Sequence, residues 1–279
     1  MKISLIVTTC DNLCVFRRLL DSIKYSNFKL HQLIVIDQSE NLETKDLVEK
    51  YKDYINIIYI YIGKRISLSK ARNIGIKYSS GDILGFPDDD CWYEEDFFYN
   101  ISNIFENNNY DMILTSVFDP LRNKIYGNKQ SSKEIEVIKK NNIIKYSTSV
   151  GIFIRVNNEF EKFDEQLGVG AKWFGGEDID YVARYIWKNK KVVFINSLKV
   201  YHEVDLNRDN EKEYRYSVGF GAVSKKMIYN YNMKNFKKDI FWRQTKSFIG
   251  MCIFKFLNHK KYKKYISKFK GVKDGLKYR

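Results

Sequence analysis

Three consecutive aspartates, Asp88, Asp89 and Asp90, close a short apolar run in the segment GDILGFPDDDCWY. Carboxylates this close together raise one another's pKa unless a cation compensates their charge. Aspartate oxygens are also the ligands that Mg²⁺ and Mn²⁺ prefer. The trio therefore predicts a divalent-metal site at the end of a strand, and a solvated acidic turn is the alternative that the pattern leaves open.

A second acidic group follows two glycines in the segment GGEDID. A carboxylate held beside an attacking hydroxyl can accept its proton as a general base, and Asp178 and Glu177 are the candidates. Gly175 and Gly176 would let the backbone approach a bound substrate closely. The alternative is that these acids only occupy the first turn of a helix, where the helix dipole favours negative charge.

Strand and helix patterns alternate from the start of the chain. The segments KISLIVTT, HQLIVIDQS and INIIYIYI have the apolar character of buried strands, and stretches with helical spacing separate them. This alternation predicts an α/β fold with a mainly parallel central sheet, which binds ligands beyond the carboxyl ends of its strands. At that edge we expect Thr8 and Thr9 from the first strand, Asp37 and Ser39 from the second, and the aspartate trio.

Later segments extend this arrangement. Arg72 lies on a predicted helix, LSKARNIGIKY, near the ligand edge, although a surface salt bridge would explain an arginine as well. Residues 120–142 are polar and rich in turn formers, which indicates a loop. A last strand pattern, KVVFINSLKVYHEV, ends near His202.

The composition describes a folded protein with an uneven charge. Of the 279 residues, 44% are hydrophobic and 16% aromatic, which argues against a disordered chain. The net charge is +14, yet residues 1–204 hold 28 basic and 28 acidic side chains, whereas residues 205–279 hold 20 and 6. We therefore predict a catalytic domain over residues 1–204 and a basic, aromatic-rich helical tail over residues 205–279.

The tail contains DIFWRQTKSFIGMCIFKFL, a mixture of aromatic and basic residues whose apolar run is too short to span a bilayer. This pattern favours a helix lying on an anionic membrane surface, and packing of the tail on the core is the alternative. The N-terminus lacks a signal-peptide pattern, and the four cysteines lack a metal-binding spacing. We expect a cytoplasmic protein with reduced thiols, peripheral on the inner face of the cell membrane.

Taken in order, ISLIVTT, VIDQS, LSKARNIGI, LGFPDDDCW and GEDID resemble the family 2 glycosyltransferases with a GT-A fold, which build bacterial surface polysaccharides. The resemblance covers roughly residues 1–204. It implies an inverting, metal-dependent transfer of a sugar from a nucleotide-diphosphate donor, preferably a UDP sugar. The acceptor would be a hydroxyl of a glycan or of a polyprenyl-diphosphate-linked glycan, and the cofactor would be Mn²⁺ or Mg²⁺.

The resemblance also implies how the donor is held. Thr8 and Asp37 would contact the nucleobase, Arg72 the nucleotide and Asp88 the ribose. Two departures from the family pattern, DQS after the second strand and Pro87 before the trio, affect the expected ribose contacts and the metal loop. The complete set of predicted nucleotide-sugar contacts is Thr8, Thr9, Asp37, Ser39, Arg72, Asp88 and Asp89.

The metal would be held by Asp90, or by Asp89 if the register is shifted by one residue. His202 would be a further metal ligand or a diphosphate contact, unless it is an ordinary hydrogen-bonded histidine.

On the acceptor side, the second acid of the Glu-Asp pair usually accepts the proton in this family. The resemblance therefore implies Asp178 as the base, with Glu177 in a supporting role. Trp173 and Phe174 would stack on an acceptor sugar, or else pack in the core.

Two other functions fit part of the sequence. A nucleotidyltransferase on a similar sheet would carry a glycine-rich basic loop near the N-terminus, and VTTCDNLCVF is not such a loop. A basic membrane-binding or nucleic-acid-binding protein without enzymatic activity would explain the tail, but it leaves the balanced charge of the body and its clustered acids unexplained. We expect no nucleic-acid partner.

Overall fold

The computed structural model describes residues 1–125, 131–156, 161–204 and 208–278. Within these ranges, ten strands form one sheet. The strands are β1 (Ile3–Thr9), β2 (Gln32–Asp37), β3 (Ile57–Tyr61), β4 (Ile83–Gly85), β5 (Cys91–Trp92), β6 (Met112–Asp119), β7 (Lys124–Ile125), β8 (Ile135–Val137), β9 (Ile152–Arg155) and β10 (Val192–His202).

The strands follow the order β3-β2-β1-β4-β9-β6-β10-β5 across the sheet, with β7 paired to β6 and β8 paired to β10. Strands β1, β2, β3, β4, β6 and β10 share one direction, and β9 runs against its two neighbours. Thr9 is level with Asp37, and Asp37 with Tyr61, so the carboxyl ends of β1, β2 and β3 meet at one edge. The predicted mixed α/β sheet is confirmed.

Helices cover both faces of this sheet. Along β1, Leu5 and Val7 face a core that contains Phe16, whereas Ile6 faces the opposite core with Ala71. This alternation is the period of two that any strand imposes on its side chains. The helices are α1 (Leu13–Lys24), α2 (Glu43–Glu49), α3 (Leu68–Ile76), α4 (Phe97–Asn107), α5 (Ile143–Tyr146), α6 (Glu177–Trp187), α7 (Asn210–Asn230), α8 (Asn235–Leu257) and α9 (His259–Gly275).

The segment 120–142, expected to be a loop, contributes the short strands β7 and β8 to the sheet. Their side chains are mostly exposed, so the polar sequence carried no strand pattern, and the backbone of β6 and β10 supplies the pairing. Residues 126–130 of this segment lie outside the described residues.

The predicted helical tail is confirmed, and it forms three helices, α7, α8 and α9. The predicted domain boundary after residue 204 falls at 205–207, which lie outside the described residues. Lys226 of α7 is 8% exposed and its Nζ lies 2.6 Å from Asp164 Oδ2 and 2.6 Å from Asp180 Oδ1 of α6. These two ion pairs, which share the buried Lys226, hold α7 against the body.

Glycines bring α7 and α9 into backbone contact. A Cβ atom added to Gly275 would lie 2.0 Å from the carbonyl oxygen of Val218, and one added to Gly221 would lie 2.4 Å from that of Val272. In contrast, α8 buries only Phe236, Ser247 and Gly250. None of the described helices is both long enough and apolar enough to cross a membrane.

Candidate active site

The aspartate trio lies beyond the end of β4, beside the end of β1. Thr8 forms an isolated parallel bridge with Asp88. The hydroxyl of Thr9 donates to Asp89 Oδ2 over 2.7 Å, and the side-chain amide of Asn12 donates to Oδ1 over 3.3 Å. The structure thus brings four of the predicted nucleotide-sugar contacts together at one sheet edge.

Asp37 and Ser39 form a second polar group at the end of β2. Asp37 is fully buried, and it accepts hydrogen bonds from the backbone N–H of Ser39 over 2.9 Å and from the hydroxyl of Tyr59 over 2.5 Å. Burial, together with Asp37, raises the pKa of Tyr59, so the phenol stays neutral and donates. The backbone N–H of Asp11, just after β1, donates to the Ser39 hydroxyl over 3.0 Å and links the two strand ends.

Arg72 of α3 joins the two acidic groups that the sequence separates. Its side chain is 1% exposed. One guanidinium nitrogen, Nη2, donates to Asp88 Oδ1 over 2.9 Å and to the hydroxyl of Ser149 over 3.2 Å, and Nη1 lies 4.0 Å from Glu177 Oε1. The sequence placed Arg72 near the ligand edge but gave no sign of Ser149, which follows α5. The buried guanidinium of Arg72 therefore lies between Asp88 and Glu177.

The environment raises the pKa of two members of the trio. Burial raises the pKa of Asp88, against the lowering effect of Arg72, and the charge of Asp90 adds to the rise. Burial also raises the pKa of Asp89 to about 7, although the hydrogen bond from Thr9 opposes it. Ionising Asp88 and Asp89 is therefore unfavourable unless positive charge is added at this edge.

Asp90 meets His202 at the end of β10. His202 Nε2 lies 3.0 Å from Asp90 Oδ1, and Nδ1 lies 2.7 Å from the backbone carbonyl oxygen of Glu203. In the tautomer whose Nδ1–H donates to that carbonyl, Nε2 directs a lone pair at a carboxylate oxygen, so a proton or a cation is needed between them. Two neighbouring ligand atoms of an octahedral Mg²⁺ each lie about 2.1 Å from the ion and form a right angle at it. Their separation is then about 3 Å, which matches the distance between these two side-chain atoms. These two residues therefore fit a divalent metal.

Cys91 is a neighbour of this pair that the sequence did not single out. Ligand atoms of Asp90, Cys91 and His202 all lie within 4.8 Å of one another. Burial, and then the charges of Asp88 and Asp90, raise the pKa of the Cys91 thiol well above its usual value. A neutral thiol is a poor ligand for a hard cation, so the carboxylate and the imidazole are the better donors.

Glu177 and Asp178 are the first two residues of α6, and they follow two glycines with a left-handed backbone conformation. Gly175 has φ +90° and Gly176 has φ +87°, a conformation that side-chain-bearing residues rarely adopt. Burial raises the pKa of Glu177, against Arg72, and burial together with the charge of Glu177 raises the pKa of Asp178 to about 7. A carboxylate with such a pKa suits proton transfer near neutral pH.

Side chains of α3 hold the loop that leads to α6, a contribution that the sequence analysis missed. The hydroxyl of Ser69 donates to the carbonyl oxygen of Leu167 over 2.6 Å. The amide of Asn73 donates to the carbonyl oxygen of Phe163 over 3.0 Å and accepts from its N–H over 2.8 Å. The helix that carries Arg72 thus also positions the segment ending at Glu177.

Trp173 and Phe174 lie in the same loop, next to the tail helices. The Trp173 ring centroid lies 5.7 Å from that of Tyr278, and the ring centroids of Phe174 and Tyr216 lie 5.2 Å apart in a T-shaped arrangement. Both side chains are half-buried. Their predicted stacking on an acceptor sugar stays a prediction.

The family model for glycosyl transferase family 2 matches residues 4–159, which is more than half of the chain. The glycosyltransferase GlyA of Streptococcus pneumoniae serotype 4 is 27% identical over 96 residues, which are 34% of this chain and 14% of that protein. The chain therefore spans only a small part of the length of this relative.

Solved structures agree on the fold. TarS 1–349 of S. aureus, in complex with UDP-GlcNAc, has a TM-score of 0.67 and 18% identity, covering 99% of this chain and 81% of that one. A longer TarS chain has a TM-score of 0.66 and 17% identity, covering 88% of this chain and 43% of that one. The mannosyltransferase PcManGT of Pyrobaculum calidifontis, in complex with GDP-Man and Mn²⁺, has a TM-score of 0.65 and 10% identity, covering 99% and 87%.

Two acidic groups face a shared buried arginine at the carboxyl edge of a mixed sheet, and the matched segment contains the strands and the helix that build most of this edge. The chain belongs to glycosyl transferase family 2 and has the GT-A fold of these glycosyltransferases.

Proposed function

We propose that this protein transfers a sugar from a nucleotide-diphosphate donor, preferably a UDP sugar, to a hydroxyl of a glycan or lipid-linked glycan, with inversion at the anomeric carbon. UDP-GlcNAc and GDP-Man are bound by the similar TarS and PcManGT structures, and they support a nucleotide-sugar donor. The product would serve bacterial surface polysaccharide synthesis. The relative GlyA, from a bacterium, is itself a glycosyltransferase.

The donor would lie along the strand edge. Thr8, Thr9, Asp37 and Ser39 lie where β1 and β2 end, and since Thr9, Asp37 and Ser39 are buried and hydrogen-bonded there, they would form the polar floor beneath a nucleobase and a ribose. Asp88 and Asp89 would contact the ribose and the sugar, and Arg72 would keep Asp88 in place.

Asp90 and His202 would hold Mn²⁺ or Mg²⁺. The 3.0 Å spacing of Asp90 Oδ1 and His202 Nε2, together with the raised pKa of Asp88 and Asp89, supports this assignment. A bound cation of this kind supplies Lewis-acid stabilisation of the charge that develops on a leaving diphosphate.

Asp178 would accept the proton of the attacking hydroxyl. The hydroxyl oxygen bonds to the anomeric carbon as the bond to the diphosphate oxygen breaks, and a single displacement of this kind inverts the configuration. Glu177, closer to Arg72, would orient the acceptor. The observation that carries the proposal is the position of Arg72 between Asp88 and Glu177, because it would bring the proposed donor edge and Glu177, the neighbour of the proposed base Asp178, into one cleft.

The proposal is tested by titrating UDP into the protein with Mn²⁺ or with EDTA, and by assaying a panel of nucleotide sugars for slow donor hydrolysis. We expect metal-dependent UDP binding, its loss in Asp90→Ala, and its retention in Asp178→Asn, which should abolish transfer. Normal transfer by Asp178→Asn would contradict the assigned base. Salt-sensitive binding of DNA or RNA without UDP binding would favour the non-enzymatic alternative.

The tail would hold the protein on an anionic membrane surface at the inner face of the cell membrane. Several large apolar side chains on α8 are at least half exposed, and we call them the α8 apolar face: Phe241, Trp242, Phe248, Ile249, Ile253, Phe256 and Leu257. Lysines flank this face in α8 and dominate α9. Aromatic and basic side chains in this mixture suit a bilayer interface.

A further inference from the structure

A groove of about 820 Å³ lies between the start of α6 and the tail helices α7, α8 and α9. This volume falls in the range of small-molecule binding sites. Gly176, Glu177 and Asp178 line one end of it, and among the described residues the aspartate trio does not line it. The groove therefore contacts the candidate base from a side other than the proposed donor edge.

The tail end of the groove is rich in positive charge. Its lining cations are Arg208, Arg243, Lys246 and Lys268. Within the described lining, Glu213 is the acid that the tail contributes, and it already pairs with Lys264 at 2.7 Å and Lys268 at 3.6 Å. Burial acts to raise the pKa of Glu213, but the two lysines outweigh it and lower this pKa. An added anion would therefore meet a positive potential.

Apolar side chains continue from these cations to the surface. The guanidinium of Arg243 lies 3.9 Å from the ring centroid of Phe220, which fixes it at the groove wall. Ile249 and Ile253 line the groove and are 50% and 51% exposed, so they belong to the groove and to the α8 apolar face at once. The groove is thus lined by a carboxylate pair on α6, by cations of the tail, which we call the cationic section, and by half-exposed apolar side chains of α8, which we call the apolar exit.

We propose that this groove binds the acceptor, and that the acceptor is a sugar joined to a lipid through a phosphate or diphosphate. The inference rests on the proposed function and specifies its acceptor site. The sugar hydroxyl lies beside Asp178, the phosphate groups lie on Arg243 and Lys268, and the lipid follows Ile249 and Ile253 toward the α8 apolar face. A soluble glycan would leave the cationic section and the apolar exit without a ligand.

The transfer step balances within this arrangement. The acceptor oxygen forms a bond to the anomeric carbon of the donor while the bond from that carbon to the diphosphate oxygen breaks. The hydroxyl proton passes to Asp178, and the electron pair of the broken bond leaves with the nucleoside diphosphate. The phosphate of the acceptor takes no part in the bond changes, so the cationic section acts only in binding and orientation.

The test is calorimetric titration of the full chain with farnesyl diphosphate, a short lipid diphosphate. We expect the double variant Arg243→Gln, Lys268→Gln to weaken this binding at least about tenfold, since it removes two charge-assisted contacts. The matched control Lys238→Gln, Lys260→Gln removes the same charge from exposed positions of the same two helices and should bind as the parent does. The variant Arg243→Lys, Lys268→Arg, which keeps both charges, should retain most of the affinity.

Two further ligands separate the components of the proposed acceptor. Inorganic diphosphate and farnesol should each bind more weakly than farnesyl diphosphate. Equal affinity for either one would overturn a joint phosphate and lipid site. Titration of UDP in the same variants tells the two proposals apart. A chain that does not bind UDP contradicts the proposed function, whereas normal UDP binding with farnesyl diphosphate affinity unchanged in the Gln variant overturns the groove assignment alone.

Discussion

At the scale of single residues, the buried guanidinium of Arg72 determines the electrostatics of the cleft. It is 1% exposed and lies between two carboxylates whose pKa burial raises. Removing one partner from a buried set of charges leaves the others uncompensated, which costs about 3 to 5 kcal/mol. Arg72 is therefore a structural requirement of the site as well as a predicted nucleotide contact.

We expect Arg72→Met to lower the free energy of unfolding by about 3 kcal/mol or more and to weaken UDP binding. Arg72→Lys should have a smaller effect on stability, because it keeps the charge but loses the planar guanidinium, whose Nη2 donates to Asp88 and Ser149 while Nη1 lies near Glu177. Urea unfolding measures the first quantity and UDP titration the second. Arg17→Met, at an exposed position, is the control, and equal stability of the two Met variants would refute the role.

The raised pKa of Asp178 predicts a pH profile. Because burial and the charge of Glu177 raise this pKa to about 7, the base loses its proton-accepting form as the pH falls through 7. The rate of transfer should rise up to about pH 7 and level off above it, and at pH 6 it should be about a tenth of the plateau. Initial rates at saturating metal and donor between pH 5.5 and 8.5 measure the profile, and a constant rate across this range would contradict the assignment.

At the scale of the elements, α7 presses a glycine against the loop that precedes α6. A Cβ added to Gly219 would lie 2.0 Å from the carbonyl oxygen of Phe174 and 2.6 Å from that of Gly175. A side chain at position 219 would therefore collide with the loop before α6 and displace it. Helix α7 thus sets the position of Glu177 and Asp178 through direct backbone contact.

Gly219→Ala should displace this loop and lower the rate of transfer about a hundredfold, since small misplacements of catalytic groups have effects of that size. UDP binding should change little, because the donor edge is built by other elements. Tyr229→Ala, at a position of α7 that is 75% exposed, is the control for effects on the helix itself. Unchanged transfer by Gly219→Ala would show that α7 does not position the base.

The sequence predicted which polar residues lie at the strand ends, because each strand end is marked by a local change from apolar to polar residues. Thr9, Asp37 and the trio stand directly after apolar runs, and parallel pairing aligns such ends. The meeting of Arg72 with Glu177, the hydrogen bond to Ser149 and the groove between α6 and α8 join segments distant in the chain. No local pattern encodes which side chains meet there, so these features became visible only in the fold.

At the scale of the whole molecule, the charge of the chain and its exposed apolar area coincide. The α8 apolar face lies in the same three helices that carry the surplus of lysine and arginine. Burying a phenylalanine in an apolar environment contributes about 1.5 to 3 kcal/mol, so each side chain of this face would add substantially to the proposed membrane affinity.

The double variant Phe248→Ser, Phe256→Ser should lower binding to vesicles that contain anionic lipid by about tenfold or more, as measured by sedimentation. Point changes are preferable to deletion of the tail, because α9 packs closely on α7. The control is Tyr25→Ser, Tyr54→Ser, which removes two aromatics of the body that are also more than half exposed. Vesicle binding that is the same in both variants would rule out the α8 apolar face as the attachment surface.

The glycines at the crossing of α7 and α9 have a consequence for how the protein melts. Gly221 and Gly275 bring two backbones into contact, so a shift of one helix along the other would set a side chain against a backbone. Since α7 is also tied by Lys226 to Asp164 and Asp180, loss of the tail contacts exposes charge and apolar surface of the body together. Heating should therefore produce one cooperative transition in calorimetry, in which the basic helices and the sheet come apart at the same temperature.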